Sequence, residues 1–144
     1  MTAALVEQLT LAGYSVDLIK DGIRVEGEPN EIDLEKINTD AETILVVKFD
    51  GFGLFSGFRT TKFLPRVNID FELLRKKDLS TIHSQSIDYG ADASKANSEE
   101  IPSDTKYAYP SFEDALNRQT EVIESFRAGF QQISSQLAKQ LREQ

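Results

Sequence analysis

The chain of 144 residues is 40% hydrophobic and 28% charged, an ordinary globular composition for one domain that buries its own core. Its 24 acidic residues outweigh 16 basic ones, and the net charge of −8 works against general binding to nucleic acid, whose phosphates attract basic surfaces. The absence of cysteine excludes thiol catalysis, disulfides and cysteine-ligated zinc, and no apolar run approaches the ~20 residues of a membrane span.

The opening "MTAALVEQLTLAGY" lacks the basic leader and apolar block of a signal peptide, which leaves open both a cytosolic protein and a mature chain freed of its leader. Residues 2–12 set Leu5, Leu9 and Ala12 on one helical face, and Gly13 suits the helix stop. In "YSVDLIKDGIRVEG" the apolar residues Val16 and Leu18, then Ile23 and Val25, alternate on either side of Asp21-Gly22. That predicts a hairpin turning at the Asp-Gly pair, because both turn positions need positive φ. "PNEIDLEKI" reads as a short helix with Asn30 as its N-cap and Asp33 at the third helical position.

"TILVVKF", 43–49, is a run of β-formers expected to be buried on both faces. "RVNIDFELL", 66–74, sends Val67, Ile69, Phe71 and Leu73 one way and Asn68, Asp70 and Glu72 the other. "RKKDLS" then connects it to a weaker strand in "STIHSQSIDYG", and the two pair as an antiparallel hairpin. Residues 90–110 have almost no apolar periodicity and read as a long polar loop, with Tyr107 and Tyr109 anchoring its end. Past Pro110, Ser111 and Asp114 have capping-box spacing. Phe112, Leu116, Ile123, Phe126, Phe130, Ile133, Leu137 and Leu141 follow as the stripe of an amphipathic helix over 111–142. Unbroken, it would run ~48 Å in a domain whose radius of gyration is ~15 Å, so a break near Asn117–Thr120, a kink at Gly129 or a protruding end is expected. The fold class is α+β: a single two-layer domain over 1–144, with a mostly antiparallel sheet of about five strands against helices and a long C-terminal helix.

Between the strands, Gly51, Gly53 and Gly57 approach a dinucleotide-binding fingerprint. The third position is Ser56, however, and Pro65 leads into a strand, so no helix N-terminus meets a phosphate. The segment reads instead as an irregular hairpin connection carrying Phe49, Phe52, Phe55, Phe58 and Phe63, either folded onto the core or exposed as an apolar contact patch. The basic residues Arg59, Lys62, Arg66, Arg75, Lys76 and Lys77 make a weak local patch that reads as a solvated face and turn. His83, the only histidine, shares a strand face with Gln85, Ile87 and Tyr89 and has no acid at the same spacing, as expected of a sheet-surface residue. Neither a nucleophile elbow nor a calcium-hand spacing occurs, so the chemistry predicts no enzyme, no cofactor and no metal.

Three stretches carry a resemblance: "LVEQLTLAGYSVDL", "ILVVKFDGFG…RVNIDFELLRKKDLSTIHSQSIDYG" and "YAYPSFEDAL…SFRAGFQQISSQLAKQL". Together they resemble the mature part of small bacterial periplasmic or outer-membrane lipoproteins of unassigned function. In architecture they are similar to penicillin-binding-protein activator lipoproteins and the Tol-system N-terminal domain. Such lipoproteins begin at a lipid-bearing cysteine; this chain has none, so the resemblance implies a leader and anchor cysteine upstream of Met1. It also implies a periplasmic location and a non-catalytic module that binds an envelope protein or cell-wall component. The expected contact residues are Phe52, Phe55, Phe58 and Arg59 at the hairpin tip, with Tyr107 and Tyr109 beside the loop. The alternative is a cytosolic domain that binds a small ligand or forms a homo-oligomer through the C-terminal helix.

Overall fold

A computed structural model describes residues 1–19, 24–56, 61–90 and 98–143, with the backbone alone at Pro29 and Asn30. The alternation in "RVNIDFELL" organises the whole molecule. It lies in β4 (Phe63–Arg75), which is flanked by β3 (Thr43–Ser56) and β5 (Thr81–Gly90) in antiparallel pairing. A short β6 (Glu99–Ile101) adds parallel to β5, giving the order β3-β4-β5-β6. Val67, Ile69 and Phe71 lie opposite Tyr89, Ile87 and Gln85 on one side and Phe52, Phe49 and Val47 on the other. The resulting apolar face carries the main core: Val67, Ile69, Phe71, Ile87 and Tyr89 are buried there against Ile133, Leu137, Ala138 and Leu141. Each fully buried aliphatic or Phe side chain contributes roughly 1.5–3 kcal/mol relative to exposure, so this face dominates stability.

Both helices that supply this layer sit on the same face. Helix α1 (Thr2–Leu11) brings Leu9 to the core and ends at Gly13, which takes φ +94°. The stop is a Schellman motif: the Gly13 amide donates to the Thr10 carbonyl and the Tyr14 amide to the Leu9 carbonyl. The Tyr14 hydroxyl then donates to the Leu141 carbonyl at 2.7 Å, tying the N-terminal helix to the end of the C-terminal one. The expected long helix divides into α2 (Phe112–Asn117) and α3 (Gln119–Arg142), with Arg118 non-helical between them at φ −115°, ψ 39°. Ser111 caps α2 by accepting from the Asp114 amide at 3.0 Å. Gly129 lies inside a continuous α3, where its missing side chain admits the Tyr89 ring.

The other sheet face is apolar only at one end, where Ile44, Val46 and Leu74 pack with Ile37 and the half-buried Ile32, Leu34 and Leu79. Residues 44–47 therefore do face two cores, Ile44 and Val46 one, Leu45 and Val47 the other.

Several expectations need correction. The expected Asp21-Gly22 turn lies outside the described residues. The hairpin that forms joins β1 (Arg24–Val25) to β2 (Glu28–Ile32) through Gly27 at φ +83°. That pairing draws residues 28–32 into a strand, leaving only a 3₁₀ turn at Leu34–Lys36 of the helix expected over 29–37. In place of one sheet of about five strands there are four in the main sheet and two in the small one. The 90–110 loop contains β6 and a 3₁₀ turn at Thr105–Tyr107; 91–97 lie outside the described residues. β6 holds despite its length because Gln136 and Gln140 of α3 both donate to the Glu99 carboxylate. Finally, His83 pairs with Leu73 on the helix-covered face, its ring 5.4 Å from Phe71 and its Nε2 buried with no hydrogen-bond partner among the described residues.

Candidate functional site

The glycine segment forms no loop at its start. β3 continues through Gly51 and Gly53 to Ser56, with a β-bulge at Asp50: Phe49 lies opposite Ile69, while Gly51 lies opposite Asn68. The bulge inserts one residue and so reverses the facing of everything beyond it. Phe49 and Phe52, three apart, would otherwise point to opposite sides; here both rise on the helix-covered face.

There they meet α3. The Phe52 ring centroid is 4.5 Å from that of Phe126 and 5.8 Å, stacked, from that of Phe130, which also takes Phe49 edge-on at 6.1 Å. Phe126 and Phe130 are one helical turn apart, and Ile123 precedes them on the same side. The four rings and Ile123 form a shelf at the rim of the molecule that is only half covered: Phe49 is 54% exposed, Phe52 55% and Ile123 53%. Aromatic pairs contribute about 0.5–1.5 kcal/mol each beyond their buried area. Half of the Phe49 and Phe52 surface still faces water, and contiguous apolar surface of this kind marks contact sites.

The remaining expected contact residues do not join the shelf. Phe55 lies beyond the bulge on the opposite sheet face, 40% exposed, with the Arg66 guanidinium 5.2 Å above its ring. Phe58 and Arg59 lie outside the described residues. Tyr107 and Tyr109 are no contact surface: they are 6% and 0% exposed, packed with Ala115 and the half-buried Leu54, Phe63 and Val122. The reason is backbone pairing. β5 ends opposite Arg66, and Tyr109 takes the vacated place beside β4, exchanging hydrogen bonds with Phe63 at 2.8 and 2.9 Å. Arg118 closes this cluster from above, 5.0 Å over the Tyr109 ring, with Asp114 at 3.2 Å and Glu121 closer still. These hydrogen bonds hold Arg118 more firmly protonated than usual and Glu121 below its ordinary range. Burial pushes the Tyr89 hydroxyl up to about 12, with Tyr107, Asp104 and Tyr109 adding to it, and raises Tyr109 as well.

The basic residues are likewise dispersed. Arg66 and Arg75 sit nine positions apart on β4, roughly 30 Å along a strand. Arg75, Lys76 and Lys77 line an open cleft of about 550 Å³ with Glu42, Thr43 and Ile82. Arg75 is already engaged there by Ser80 at 2.9 Å and Asp78 at 3.9 Å. Among the described residues no three histidine, cysteine or acidic side chains gather to hold a metal, and no helix is long and apolar enough to cross a membrane. Ile133, Leu137 and Leu141 are buried within this chain, so the apolar stripe is used by the domain's own core over that length.

Sequence reasoning reached Phe52 but not its companions. Phe126 and Phe130 look like core positions of a helix stripe, and only the bulge, a property of cross-strand register, joins them to Phe49 and Phe52.

The fold and the shelf define a small α+β domain with an aromatic contact surface at the rim of its sheet. No protein-family model matches the sequence, and no curated protein and no solved structure is similar to it at a significant level.

Proposed function

We propose that this chain is a non-catalytic binding module that meets another protein through the shelf of Phe49, Phe52, Ile123, Phe126 and Phe130. The observation that carries this reading is the half-exposure of Phe49 and Phe52 on rings otherwise stacked against α3. A catalytic reading would need His83 beside a carboxylate, whereas its ring lies against Phe71. The resemblance of the three stretches to envelope lipoproteins supports a partner in the bacterial envelope; that part rests on the sequence alone. Compared with the expected hairpin tip, the surface shifts from Phe55 and Phe58 towards α3.

A photo-crosslinking amino acid at position 52, with one at Glu72 on the opposite face as control, tests this in the cells that make the protein. A discrete adduct with another protein at 52, absent at 72 and lost on Phe49→Ser, is the expected result. The absence of any adduct at 52, or equal adducts at both positions, would overturn the reading.

A further inference from the structure

β3 is an edge strand of 14 residues, and among the described residues no backbone hydrogen bond from outside the sheet reaches its outer side. Such an edge is a template for another strand, and natural monomers blunt it with prolines, inward charges or short length. β3 contains no proline, and Thr43–Lys48 runs in unbroken register.

The position of the bulge says which strand fits. In an antiparallel pair about a two-fold axis normal to the sheet, residues directly opposite each other must lie on the same face. Matching β3 end to end with its own copy, Thr43 opposite Ser56, pairs odd with even positions. In a regular strand that would set every core-facing side chain against a solvent-facing one. The bulge at Asp50 falls at the midpoint of β3 and reverses the facing of the second half. Leu45 then meets Leu54 of the second copy and Val47 meets Phe52 on the helix side, while Ile44 meets Phe55 on the other. At the centre the exposed Lys48 comes beside Asp50 of the second copy, twice across the axis, so the edge is complementary to itself in charge as well as in facing. We infer that the outer edge of β3 pairs with the same strand of a second copy, joining two four-stranded sheets into one of eight.

This goes beyond the binding reading and does not depend on it. Pairing occurs in the plane of the sheet, so the upper surfaces of the shelf rings stay open and the two shelves lie side by side.

Sedimentation equilibrium of the purified chain from micromolar to millimolar concentration tests the inference without any partner. We expect a species of about twice the 16.2 kDa chain. Lys48→Asp and Asp50→Lys should each return it to monomer, by setting like charges together across the axis. Mixing the two single variants should restore the dimer, because one strand then presents acidic side chains at both central positions and the other basic ones. The double exchange within one chain should restore it too. A wild-type chain that stays monomeric throughout, or a dimer indifferent to both substitutions, would overturn the inference. Failure of the crosslink at position 52 would leave this outcome unchanged, so the two readings fail separately.

Discussion

Gly129 of α3 stands so close to the Tyr89 ring that a Cβ placed there would lie 2.6 Å from its Cδ1 and 2.7 Å from its Cε1. The helix can approach the sheet at this point only because position 129 has no side chain, and the fully buried Tyr89 has nowhere to swing. Gly129→Ala gains about 1 kcal/mol of helix propensity but overpacks a filled core at a cost of roughly 1–3 kcal/mol. We expect a net loss of about 1 kcal/mol, read as a lower urea midpoint. Gly90→Ala should be far worse: at φ +98° its Cβ would fall 1.7 Å from the Pro65 carbonyl oxygen, a contact only backbone movement can relieve. Circular dichroism should show that variant largely unfolded.

The same tyrosine makes stability sensitive to alkali. Its hydroxyl is buried without a hydrogen-bond partner among the described residues and titrates at about 12 in place of 10.0. A raised folded-state value means that the protonated form is the one the fold accommodates. The contribution is complete below pH 10, the unfolded value, and is lost as pH rises towards 12, by on the order of 2 kcal/mol. Tyr89→Phe removes an unpaired hydroxyl, so it should leave stability at pH 7 unchanged or higher and flatten the decline between pH 10 and 12. Urea titrations at a series of alkaline pH values measure both effects.

Arg118 holds the corner between α2 and α3, donating to Asp114, Glu121 and the Lys106 carbonyl. Arg118→Ala should loosen α2 and the Tyr107–Tyr109 segment while leaving the sheet intact. Hydrogen exchange should then be faster at the Ala115 and Tyr109 amides and unchanged at Ile69. Because Arg118 depresses the Glu121 carboxyl, the stability this contact adds is present above the usual glutamate range and is lost as pH falls through the lowered value. The variant should therefore respond less to acid than the wild type.

How much of this was legible beforehand differs by element. The alternation of Val67, Ile69, Phe71 and Leu73 can be read from the chain because a period of two is local, and Gly13 marks the end of α1 for an equally local reason. The Asp21-Gly22 pair has the same local credentials, yet the turn that forms is at Gly27, and β2 lies where a capped helix was expected. Packing of Ile32 and Leu34 against Ile37 and Ile44 outweighs the helix signal there. The shelf was the least legible part, since it depends on which residue of β3 is skipped by β4. Tyr107 and Tyr109 look like exposed loop aromatics until Phe63 is seen to pair with Tyr109.

The shelf rings should matter little to folding. Phe52→Ala, with half of the ring already in water, should cost about 1 kcal/mol, while Phe71→Ala in the main core should cost about 3–5 kcal/mol. Comparable losses from the two in urea denaturation would mean that Phe52 serves the core after all.

The most direct measurement is the exposure of the rings themselves, by proton relaxation in the presence of a soluble paramagnetic gadolinium chelate. Ring protons of Phe49 and Phe52 should relax several times faster than those of Phe71, which is 1% exposed. Slow relaxation at Phe49 and Phe52, equal to that at Phe71, would contradict an open aromatic surface and with it the proposed mode of binding.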